Sequence, residues 1–207
     1  MPELVKRSIL QLSRLERVMD VIFALVIWRL FTFLPTQDVD EGKWSSVTEM
    51  LTTEWETFLF VLLAIVIVII YWLQNNSLLG NLKKTDGIHT AISIFQVFFV
   101  LLFLYSIGSG VSIGSGMDSR AFESFTAMMV GVMSLLAWHY AMHKGDMLDP
   151  DLDAEEAIHI RQKNMAEPVT AAITIPFAFV GPLAWELSWF LYPFIKYIYS
   201  RAIKQRT

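Results

Sequence analysis

Apolar residues along the 207-residue chain gather into long uninterrupted runs, not into the short alternations of a soluble core. From Phe58 to Leu73 the chain reads FLFVLLAIVIVIIYWL without a charge, and from Ala91 to Ile107 only Gln96 interrupts AISIFQVFFVLLFLYSI. A third run extends from about Phe125 to Met142. The stretch from Pro168 to Ser200 has room for two short helices hinged at Gly181-Pro182, because proline ends helices and glycine permits the turn. Val18 to Leu34 forms a further run that carries Asp20 and Arg29. Helices of roughly 20 apolar residues cross about 30 Å of hydrocarbon. The pattern therefore predicts an all-α polytopic membrane protein with six transmembrane helices over residues 18–200. Residues 1–17 form a segment before the first helix, 143–167 a loop, and 201–207 a tail.

Composition agrees. Hydrophobic residues make up 55% of the chain and charged residues 17%, with a mean hydropathy of +0.49; soluble domains run nearer to about 25% charged. The absence of cysteine excludes disulfides, cysteine-ligated zinc and thiol nucleophiles. A net charge of −4 argues against nucleic acid as a partner. No P-loop, nucleophile elbow or zinc-protease motif occurs, so no enzymatic activity and no cofactor are expected.

The position of the charges predicts orientation. If both termini share one side, that side collects 13 of the 16 basic residues, leaving Lys43 and Arg120 opposite and Arg29 within a span. Basic residues favour the cytoplasmic side. Both termini are therefore expected in the cytoplasm, with the N-terminal stretch retained, since Arg29 breaks its apolar run and no cleavage site follows. The outer loops are then 36–55, with Asp38, Asp40, Glu41, Glu49 and Glu54, and the glycine-serine segment 107–119. In the 143–167 loop, Asp149-Pro150 predicts a turn and Asp153 the N-cap of a short amphipathic helix.

Ionisable groups at membrane depth are costly without a partner or water. Two readings stay open for Asp20: an interfacial carboxylate near Arg14 and Arg17, or a functional one. Arg29, about 13 Å further along the helix and nearly half a turn round it, cannot pair with Asp20 in the same helix. It either snorkels outward or faces an aqueous pathway or an acid such as Glu54, Glu56 or Glu186. His89, His143 and His159 show no metal spacing, His139 reads either as a proton carrier or as an interfacial histidine, and the tryptophans mostly fall near span ends, as in an aromatic belt.

The first helix, Arg14-LER-Val18-Met19-Asp20-VI-Phe23-Ala24-Leu25, resembles the signature of bacterial relatives of transmembrane protein 175, the endolysosomal potassium channel. Arg14, Asp20, Phe23 and Ala24 match at the family spacing, and Val18 and Met19 replace its Phe-Ser. Tyr71-Trp72-Leu73-Gln74-Asn75-Asn76 is similar to the family's Tyr-Trp followed by a polar pair, often His-His. The resemblance implies a single-repeat subunit that forms a homotetramer around the first helix, in the inner membrane of a prokaryote, with potassium or other monovalent cations as permeant ions. It also implies a polar network of Arg14, Asp20, Trp72, Asn75 and Asn76 that holds the first helix to the second.

In the family, aliphatic side chains of the first helix form the constriction. Their positions correspond here to Leu25, Arg29 and Thr32, one helical face, and the family's threonine before the second layer corresponds to Trp28. The implied function is a potassium-permeable, leak-type channel with a hydrophobic constriction. Arg29 departs from that pattern. Either the helix is rotated so that Ile22, Leu25 or Val26 forms the plug, or the protein kept the fold while becoming non-conducting or anion-tolerant.

Overall fold

The structure, a computed structural model, describes residues 2–36, 44–113 and 116–204. Asp38, Asp40, Glu41 and Lys43 of the expected outer loop and Arg206 of the tail lie outside the described residues. Within these, secondary structure is helical throughout except for one isolated bridge between Leu82 and Leu148. In chain order the helices are α1 (Pro2–Phe31), α2 (Val47–Thr53), α3 (Trp55–Leu79), α4 (Gly87–Ile113), α5 (Met117–Lys144), α6 (Ala154–Lys163), α7 (Ala166–Phe177), α8 (Pro182–Ser188) and α9 (Tyr192–Lys204). A single 3-10 turn, Trp189–Leu191, joins the last two.

Helices α3, α4 and α5 are long and apolar enough to cross a membrane. Helix α1 has 30 residues, about 45 Å, and begins sixteen residues before the expected Val18. Its first half is amphipathic. Leu12, Leu15 and Met19 recur at helical spacing and are buried in one cluster with Leu78, Leu79, Leu82, Trp138 and Met147. Helix α7 has 12 residues, about 18 Å, too short to cross the hydrocarbon alone. Gly181, at φ 155°, then interrupts the helix before Pro182 at the start of α8, at the hinge position expected from sequence.

The expected glycine-serine loop at 107–119 is corrected by the structure: α4 runs on to Ile113 and α5 starts at Met117. Serine and glycine are at home in membrane helices when they pack closely or bond their own backbone. Ser106 and Ser109 donate to the carbonyls of Phe103 and Tyr105. At Gly108 a Cβ would fall 2.9 Å from the Phe33 ring, so the glycine forms the notch that receives it.

Helix α5 is the central strut, packed on α4 and α7 and touching α3, α6 and α8. Small buried residues, Ser124, Ala127, Gly131, Ser134 and Ala141, line its inner faces. Close approach follows: a Cβ at Gly131 would lie 2.8 Å from Pro168 of α7. Ser124 accepts from both Thr174 (2.7 Å) and the Trp185 indole (2.8 Å), and Tyr71 donates to the Ala127 carbonyl (2.7 Å).

Two loops at the basic end of the bundle are clasped together. Lys84 meets Asp146 at 2.6 Å, Lys144 lies 3.7 Å from Asp86, and the Lys83 amide donates to the Met147 carbonyl. Asp86 also caps α4 through the amides of Ile88 and His89 and accepts from Tyr140. Partial burial pushes its carboxyl up, but the His89 amide, the Tyr140 hydroxyl and Lys144 outweigh burial and hold it below the usual aspartate range. The hydrogen bond from Lys84 likewise lowers Asp146. Beside the clasp, Asp153 caps α6 by accepting from the Glu156 amide at 2.7 Å.

Candidate functional site on the first helix

Helix α1 presents two unlike faces. Met19, Phe23, Val26 and Leu30, at spacings of four, three and four, are at most 1% exposed. Phe23, Val26 and Leu30 pack into a core with Ala64, Ile67 and Val68 of α3 and Val100, Phe103 and Ile107 of α4. On the opposite face Val21, Leu25 and Trp28 are 57%, 56% and 65% exposed, and Arg29 and Thr32 are exposed beside them. Val26 therefore points into the core, not toward an exterior axis, and Ile22 is half-buried at its edge. Leu25, Arg29 and Thr32 share the outer stripe.

The Arg29 side chain turns from Leu25 toward the end of the helix. Its Nη1 donates to Thr32 Oγ1 at 3.0 Å, Thr32 donates back to the Arg29 carbonyl at 2.7 Å, and the guanidinium carbon stands 4.9 Å from the Phe33 ring centre. Arg29 and Phe33 face a recess of about 450 Å³ against Leu101, Leu104, Tyr105 and Gly108 of α4. Cation–π contact and the threonine hydroxyl thus hold the charge sideways, toward the neighbouring helix.

The five residues of the expected polar network fall into three places. Trp72 Nε1 donates to Asp20 at 2.9 Å; with the Asn76 amide turned to satisfy both, its nitrogen donates to Asp20 at 3.3 Å and its oxygen accepts from Trp72 at 3.1 Å. These three tie α1 to α3. Arg14 is exposed and lines a groove against Gly87, Thr90 and Ile94 of α4, six residues and well round the helix from Asp20. Asn75 is buried and faces away from Asn76, toward α4 and α5.

Around Asn75 the structure gathers a second polar group that sequence reasoning missed. His89, Ser93 and Gln96 of α4 and Ser134 of α5 surround, with Asn75, a void of about 10 Å³, the size of one water. Asn75 Nδ2, Gln96 Nε2 and Ser134 Oγ have no protein partner there, while His89 Nδ1 is bonded to Thr85 at 2.9 Å. The signal was present in the four-and-three spacing of His89, Ser93 and Gln96, a polar stripe on an otherwise apolar helix.

Residues 14–103, which cover α1 from Arg14 onward, α2, α3 and α4 up to Phe103, match the family described as endosomal/lysosomal potassium channel TMEM175. That part of the chain resembles the TMEM175 family. Its fold is similar to the crystal structure of a lysosomal potassium-selective channel TMEM175 homolog from Chamaesiphon Minutus, with a TM-score of 0.69 at 12% identity, covering 93% of this chain and 98% of that one. No curated protein matches in sequence. The TMEM175 family and this structural neighbour are ion channels, not enzymes.

Proposed function

We propose that this chain is a member of the TMEM175 family and a subunit of a potassium-permeable, leak-type channel in the inner (plasma) membrane of a prokaryote. Four copies surround one axis with α1 innermost, six membrane-embedded segments per subunit (α1, α3, α4, α5, the short α7 and the α8–α9 segment) and both termini in the cytoplasm. The observation that carries this reading is the outer face of α1, where Leu25 stands among large apolar side chains turned away from the bundle core. A ring of four such leucines blocks ions by dewetting and passes them when the helices separate enough to hold water. Arg29 is compatible with cation passage because its guanidinium turns away from Leu25, toward Thr32 and the Phe33 ring. Potassium flux into proteoliposomes tests this directly: Leu25→Asn raises the flux over wild type, and a flat trace from both proteins removes the pore assignment.

A second reading, a non-conducting or anion-tolerant protein on the same fold, is favoured by one observation: Arg29 lies one turn from Leu25 on the same exposed stripe. Reversal potentials under a potassium chloride gradient separate the two readings, being potassium-directed for the first and chloride-directed or absent for the second.

A further inference from the structure

The end of α5 beside the clasp carries two histidines side by side. His139 and His143 lie four residues apart, one turn, on an exposed side of the helix. Their ring centres stand 4.4 Å apart, with the ring planes at 57°. The charged groups nearby are engaged elsewhere. Lys144 lies 3.7 Å from Asp86, which also accepts from Tyr140, and Lys84 holds Asp146. Tyr140 and Lys144 each follow one of the histidines, about 100° round the helix, so they occupy a different side. His89 is buried and bonded to Thr85. Among the described residues no third histidine, aspartate or glutamate joins the pair.

Two histidines four apart on one helix face can share a metal ion, since imidazole nitrogen is a strong ligand and the helix sets both rings in register. Their separation bears on which metal. With about 2.0 Å from metal to each nitrogen, two ring centres lie about 4.5 Å apart when the nitrogens subtend about 90° at the metal, and about 5.1 Å apart at the tetrahedral angle. The observed 4.4 Å matches the tetragonal geometry of copper(II) and nickel(II) and falls short of the tetrahedral geometry of zinc. Copper(II) also heads the affinity order for nitrogen ligands, which matters where only two come from the protein and water supplies the rest. A cation is favoured here for a further reason: α5 ends at Lys144, so the pair lies over the carbonyl end of the helix.

We propose that His139 and His143 form a two-imidazole site for a tetragonal divalent transition metal, copper(II) ahead of nickel(II) and both ahead of zinc, which staples the last turn of α5. The site is independent of whether the chain conducts. Copper(II) titrated into the full-length protein in lipid nanodiscs, with no polyhistidine tag on either component, tests it by electron paramagnetic resonance. A tetragonal spectrum with two equivalent imidazole nitrogens is expected, saturating at one copper per chain. His139→Ala and His143→Ala, both at exposed positions that the fold does not need, should each weaken binding roughly a hundredfold, the avidity lost with one of two linked ligands. His159→Ala, at another exposed histidine, leaves affinity and spectrum unchanged. Nickel(II) should displace the copper at lower concentration than zinc does. Single variants that bind copper as the wild type does, a wild-type spectrum with one imidazole nitrogen, or displacement by zinc ahead of nickel overturns the proposal.

Discussion

The inner and outer faces of α1 differ as a finished surface differs from an unfinished one. The inner face, Met19 through Leu30, is sealed by α3 and α4 within a single chain, while the outer face leaves Val21, Leu25, Trp28 and Phe31 more than half exposed. Both faces are apolar, so hydropathy does not distinguish them. What distinguishes them is whether the partner lies in the same chain, and the lesson is that one helix divides two tasks: holding the subunit together and presenting a surface outward.

That division is open to attack. The largest effect is expected on the sealed face: Phe23→Ala leaves a cavity among α3 and α4 side chains and costs about 3–5 kcal/mol, read as a fall in the thermal unfolding midpoint in detergent. A similar truncation on the outer face, Leu25→Ala, is expected to shift unfolding of the isolated subunit by no more than about 0.5 kcal/mol. Equal losses at the two positions would erase the distinction. Overpacking supplies the next largest change. Gly131→Val forces a side chain into Pro168 of α7 and should cost about 1–3 kcal/mol, again by thermal unfolding, since backbone-held proline cannot move aside.

The tie between α1 and α3 is smaller. Asp20→Ala removes the acceptor shared by Trp72 and Asn76 and should cost about 1 kcal/mol; Asp20→Asn, which keeps an acceptor oxygen, should recover most of it in the same assay. The smallest effect is expected far from both faces, at the clasp. Asp86 has its carboxyl depressed in the folded chain, so its stabilisation is complete above the ordinary aspartate value near pH ~4 and fades as pH falls through the depressed value. The difference in unfolding midpoint between wild type and Asp86→Asn should therefore shrink on acidification from neutral pH to about pH 3. A difference that grows over that range reverses the sign and removes Asp86 from the clasp's energetics.

The long spans were legible because α3 and α4 are apolar all round, a pattern with little other use than crossing lipid. The early start of α1 was not, because Leu12, Leu15 and Met19 are spread among charges and gain their meaning only from Leu78, Leu82 and Met147, far along the chain. Residues 107–119 read as a loop because glycine and serine are helix-weakening in water, whereas here Gly108 is the seat for Phe33. At the site, Leu25, Arg29 and Thr32 were singled out by the resemblance to the family, and helical geometry put them on one face. The direction of the Arg29 guanidinium was not, since it depends on where Phe33 falls after the helix ends. Nor was the parting of Asn75 from Asn76: consecutive residues point about 100° apart, and only the placement of α1 and α5 decides which partner each one meets.

The clasp between residues 83–86 and 144–147 has a mechanical consequence for the first helix. By locking the turns at the basic end, beside the cluster that grips Leu12 and Leu15, it makes that end the fulcrum of α1. Leu25 stands thirteen residues up the rod, about 20 Å along the axis, so a tilt of about 5° displaces it by roughly 1.7 Å. Any such tilt must carry with it the α3 and α4 side chains packed on Phe23, Val26 and Leu30.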